Sequence, residues 1–154
     1  MVNYMNWPIK GIRGREMKRT AKLIYNVVCM VGCLVGVWHF FAPYSFQWFS
    51  YIPDAPIEIY QSVNYINFCF SFLLAGLSFL LLLVQNQVFG DSSGTRVFYL
   101  FFVLVWLSRL TIQLVWPWPW PSSLQPWLVV AFATEFIIAV IPAIYLLKNT
   151  KAKG

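Results

Sequence analysis

The sequence predicts an all-α membrane protein, a compact antiparallel bundle of four transmembrane helices with both termini in the cytoplasm. Three observations carry that prediction. Of 154 residues, 60% are apolar and only 10% charged, a balance outside that of soluble domains. Four apolar segments of about 20 residues, at 23–42, 63–84, 97–116 and 127–147, match the length a helix needs to cross a ~30 Å hydrocarbon core. Lipid cannot satisfy an open sheet edge, so segments of this length must be helical. Finally, ten of the eleven Lys and Arg residues fall in 1–22, 85–96 and 148–154, whereas 43–62 and 117–126 contain none. The positive-inside rule then places both ends of the chain in the cytoplasm. The expected organisation is a basic cytoplasmic segment 1–22, a transmembrane domain 23–147 and a tail 148–154.

The net charge of +6 follows from this distribution and does not indicate a nucleic-acid partner. Six of the basic residues (Lys10, Arg13, Arg15, Lys18, Arg19 and Lys22) precede the first span, where anionic lipid headgroups are the natural counter-charge. Pro8, Gly11 and Gly14 argue against a long helix before about Glu16. The first apolar run is about 20 residues, longer than the 7–15 of a cleavable signal, and no A-x-A-like site follows it. An uncleaved span is therefore expected.

In the first span, Gly32 and Gly36 form a small-xxx-small face on which a second helix can approach closely. Cys29 and Cys33 share a face, and Cys69 belongs to the second span. The three have neither C-x-x-C nor zinc-type spacing, so they read as packing thiols and no metal or cofactor is expected. The loop 43–62 is rich in aromatic residues and proline and is expected at the outer headgroup level. Its charges, Asp54 and Glu58, read as a solvated acidic patch, with Pro53 and Pro56 limiting regular structure to a late turn. The second span opens on Asn64 and Asn67, carries Gly76 as a further close-packing position, and becomes almost purely Leu and Phe. The loop 85–96 has turn composition around Gly90 and Gly94 and no phosphate-binding motif. A stiff, interface-anchored turn is expected from the tryptophan–proline run 116–121, and Pro142 is expected to kink the fourth span.

The spans also carry ionisable residues, which are costly in hydrocarbon and rarely idle. Arg109 lies seven residues before Trp116, and Glu135 eight after Trp127. Antiparallel spans would put both roughly 10–12 Å below one interface, so an Arg109–Glu135 pair is expected. Gln113 lies one turn from Arg109 on the same face, and Trp106 is placed to cover the guanidinium by a cation–π contact. With His39, Asn64 and Asn67, these residues form an expected polar centre in the outer half of the bundle. It would serve either as structure or as a ligand site.

The pattern Gly36-x-x-His39-Phe40-x-x-Pro43-Tyr44, with Ile52-Pro53 further on, resembles that of DoxX-like small membrane proteins. The resemblance implies a four-helix, inner-membrane-type protein, sometimes linked to quinone or thiol oxidation. Where such proteins often carry an acidic residue early in the second span, this chain has Asn67 nearby.

Three classes of function follow. One is a non-enzymatic partner subunit, or a binder of a lipid or small hydrophobic molecule at the polar centre. Another is a DoxX-type redox component handling a quinone or other lipid. The third is an oligomeric transporter or channel, against which the Leu/Phe-rich inner half argues. Expected partners are the bilayer, a lipid or quinone, and a second copy or another membrane protein. The absence of any catalytic or cofactor motif favours the first class.

Overall fold

A computed structural model describes residues 7–90, 92–117 and 125–151, and the side chains of 14–90, 92–117 and 125–149. The rest of the tryptophan–proline run, Asp91, and the residues before Trp7 and after Lys151 lie outside these. The described chain is helical: α1 (Trp7–His39), α2 (Ala42–Ser45), a 3-10 turn (Trp48–Tyr51), α3 (Ile57–Leu83), α4 (Gln85–Val88), α5 (Ser93–Val115) and α6 (Gln125–Lys151). Four stretches are long and apolar enough to cross a membrane: Gly14–His39, Ile57–Leu83, Ser93–Val115 and Gln125–Asn149. All four predicted spans are thus present, as befits a multi-pass integral membrane protein.

Their surfaces agree with that reading. Leu23, Val27, Met30 and Leu34 on α1 are exposed, as are Phe68, Phe72, Phe79 and Leu83 on α3. So large an apolar surface is untenable in water but is the ordinary lipid-facing side of a membrane helix.

Two helix starts differ from expectation. α1 begins at Trp7 and runs through Pro8, Gly11 and Gly14. Pro8 occupies the first turn, where the missing N–H had no intrahelical acceptor in any case. Each glycine costs only ~1 kcal/mol in a helix, which a long helix can absorb. α3 begins at Ile57, directly after Pro56, whose carbonyl accepts from the N–H groups of Ile59 and Tyr60 at 3.0 and 3.4 Å. Glu58 therefore sits in the first turn of a helix, where the dipole favours a carboxylate, instead of in an irregular loop.

The chain divides into two units, residues 29–83 and residues 1–28 with 84–154. In the first, α1 and α3 meet at Gly36. A Cβ added there would lie 2.5 Å from Ala75 N and 2.9 Å from Ala75 Cβ, so only glycine allows the approach. Gly76, expected to serve the same purpose, has open space around it; its neighbour Ala75 makes the contact. The loop after α1 is not loose. Gln47 adopts a left-handed conformation (φ 49°) to start the 3-10 turn, and the Tyr60 hydroxyl donates to the carbonyls of Ile52 (2.7 Å) and Pro53 (3.0 Å). Buried Ser71 and Ser78 return their hydroxyls to the carbonyls four residues earlier, at 2.6 and 2.7 Å, so they leave no stray donor in the apolar interior.

The second unit is built on aromatic packing. Tyr25 is fully buried, with Tyr99 at 4.6 Å and Phe89 at 5.4 Å between ring centroids. Along α5, Tyr99, Phe102, Val103 and Trp106 recur at helical spacing and are all buried. Tyr99 donates its hydroxyl to Ala139 O at 2.9 Å. Pro142 lies within the same helix and removes the usual donor to the neighbouring carbonyl, that of Ile138. Around α4, Gln85 Nε2 donates to Asn26 Oδ1 (2.5 Å), Lys22 Nζ to Asn86 Oδ1 (3.1 Å), and Arg96 to the carbonyls of Val88 and Gly90.

Candidate functional site

The expected polar residues fall in both units. In residues 29–83, the end of α1 and the start of α3 form one arrangement. Asn67 is 8% exposed, and its Nδ2 donates to His39 O at 2.8 Å. This closes a carbonyl that the end of α1 leaves without an intrahelical partner. The His39 ring is walled by aromatic edges, with Trp38 at 5.3 Å and Phe70 at 5.1 Å.

Beside this bond lies an open groove of about 420 Å³, lined by Phe40, Pro43, Tyr44, Gln61, Asn64, Tyr65, Asn67 and Phe68. The helical repeat brings Gln61, Asn64 and Phe68 onto one side of α3, and the chain's turn after His39 supplies Phe40, Pro43 and Tyr44 opposite. Three amide residues and two tyrosines thus line the groove together with Phe40, Pro43 and Phe68, and none of the lining residues is charged. Amides offer both donors and acceptors, so the lining suits an uncharged molecule with a polar end and an apolar body. Asn64 and Asn67 were anticipated. Gln61 was missed because α3 was expected to begin after it, although its spacing from Asn64 was readable.

In the other unit, Gln113 is 6% exposed and donates from Nε2 to Gln125 Oε1 at 2.9 Å, so the end of α5 meets the start of α6. Arg109 Cζ lies 4.8 Å from the centroid of the Phe132 ring. That cation–π wall was expected from Trp106. Trp106 is instead buried edge-on against Phe102 at 6.2 Å, its indole N–H without a hydrogen-bond partner among the described residues.

The expected Arg109–Glu135 pair is also corrected. No ion pair joins them among the described residues, and Glu135 Oε1 is buried with no hydrogen-bond partner there. The reason is register. Arg109 lies six residues before the end of α5 at Val115, but Glu135 lies ten after the start of α6 at Gln125. At 1.5 Å per residue the two depths are roughly 9 and 15 Å. Phe132 occupies the level assigned to Glu135, which sits one turn further along.

None of the three cysteines is in a disulfide; Cys29 is buried, Cys33 partly exposed and Cys69 exposed. Among the described residues, no group of three His, Cys, Asp or Glu side chains could hold a metal ion. No family model, curated protein or solved structure matches the chain.

Proposed function

We propose that this chain is an antiparallel four-span membrane protein with both termini cytoplasmic, and that it binds an uncharged lipid or small hydrophobic molecule in the groove between the end of α1 and the start of α3. The reading rests on one observation: an open, uncharged groove of about 420 Å³ lined by three amide residues, four aromatic residues and Pro43. Burying a charged headgroup there would strand a charge, whereas a hydroxyl, ester or carbonyl head can exchange hydrogen bonds with Gln61, Asn64 and Asn67. Phe40, Tyr44, Tyr65 and Phe68 offer apolar surface to the remainder of such a molecule. In the proposed topology the groove opens in the outer half of the bilayer, because the basic ends of the chain lie on the other side.

Mass spectrometry of the protein purified in mild detergent tests the proposal. A neutral lipid or hydrophobe should co-purify in stoichiometric amount. Gln61→Leu with Asn64→Leu, both at exposed positions, should lose it without a change in melting temperature. Stoichiometric retention by this double variant, or no neutral molecule bound by the native chain, would refute the assignment.

A further inference from the structure

The feature of the second unit that its internal contacts leave unused is the basic start of α1. Arg15, Lys18, Arg19 and Lys22 follow one another at helical spacing and share an arc of about 100° around the helix axis. Arg15, Lys18 and Arg19 are exposed, and none has a partner among the described residues. Glu16 borders the arc beside Arg19 without forming an ion pair among them. Lys22, half-buried, is held at the foot of the stripe: its Nζ donates to Asn86 Oδ1 at 3.1 Å and lies 5.8 Å from the Phe89 ring centroid. Both of these partners are neutral side chains.

The uninterrupted helix sets the height of these cations. Met17, 53% exposed, stands among the cations, and the continuous exposed apolar surface of α1 starts at Leu23, 64% exposed. With the hydrocarbon boundary there, Arg19 and Lys18 stand roughly 6–8 Å outside it and Arg15 roughly 12 Å. The headgroup layer is about 5–8 Å thick on each side. Three cations therefore lie within that layer, and the fourth, Arg15, stands a few ångströms beyond it with a side chain long enough to bend back.

We propose that the face formed by Arg15, Lys18, Arg19 and Lys22 is a docking surface for the anionic headgroups of phospholipids in the adjoining leaflet. The occupant follows from charge and place. Among the described residues no carboxylate forms an ion pair with these four cations, and the group nearest to them in a bilayer is a lipid phosphate. The surface is separate from the groove in residues 29–83 and does not depend on what the groove binds.

The test uses the full chain in uncharged detergent, titrated separately with phosphatidylglycerol and phosphatidylcholine, with bound lipid counted by native mass spectrometry. Phosphatidylglycerol should be retained preferentially. Each cation removed should weaken that retention about fivefold, the equivalent of the ~1 kcal/mol a basic residue contributes at an anionic surface. The triple variant Arg15→Gln, Lys18→Gln, Arg19→Gln should therefore lose roughly 100-fold at an unchanged melting temperature. The charge-keeping variant Arg15→Lys, Arg19→Lys should bind as the native chain does, which separates loss of charge from damage to the helix. Equal retention of the two lipids, or undiminished preference in the triple variant, overturns the proposal. So does tighter binding of a single-stranded oligonucleotide than of phosphatidylglycerol at the same ionic strength, which would assign the stripe to nucleic acid.

Discussion

Replacing Gly36 by alanine probes the closest helix contact in residues 29–83. The added Cβ would lie 2.5 Å from Ala75 N, 2.8 Å from Ala75 Cα and 2.9 Å from Ala75 Cβ. Ordinary contact for such an atom begins near 3.4 Å, so it arrives almost 1 Å too close, and two of the three obstacles are backbone. No rotamer can relieve the clash; the helices must separate, and the packing along both of them loosens. Overpacking of this kind costs about 1–3 kcal/mol, against which alanine's better helix propensity returns up to ~1 kcal/mol. Gly76→Ala is the matched control, because nothing lies within 4 Å of its added Cβ and only the propensity gain remains. The propensity gain is common to both, so the difference between the two variants should be the overpacking cost of about 1–3 kcal/mol, read by reversible unfolding in detergent micelles. A Gly36→Ala protein as stable as Gly76→Ala would show that α1 and α3 do not touch at Gly36, and the groove beside that contact would lose its support.

Two other substitutions test the second unit. Tyr99→Phe removes the hydroxyl that reaches Ala139 O at 2.9 Å and should lower stability by about 0.6–1.5 kcal/mol; unchanged unfolding would mean that this carbonyl is satisfied otherwise. Glu135→Leu removes a buried oxygen with no partner among the described residues, so it should leave stability unchanged or raise it by about 1–3 kcal/mol. A loss of roughly 3–5 kcal/mol, the cost of breaking a buried ion pair, would instead restore the pairing with Arg109.

The corrections share a cause. The aromatic ends of the apolar runs, Trp116 and Trp127, do not coincide with the helix termini at Val115 and Gln125. α6 begins earlier, at Gln125, and that short offset places Phe132, not Glu135, beside Arg109. The start of α3 was similarly set after Gln61 because Pro53 and Pro56 read as breakers, whereas Pro56 serves as the point from which the helix starts. Pro8 and the glycines at 11 and 14 were weighed as local preferences, which a continuous helix of 33 residues overrides.

Length and apolarity alone were enough for the four spans, because a bilayer demands about 20 uninterrupted apolar residues of any helix that crosses it. Gly36 was likewise legible as a position of close approach, since only the lack of a side chain serves there. The partner at Gly36, the companion of Arg109 and the walls of the groove were decided by tertiary structure. Each depends on the axial offset and rotation of one helix against another, and a shift of a single turn, about 5.4 Å, exchanges the facing residues without changing the apolar pattern of either helix.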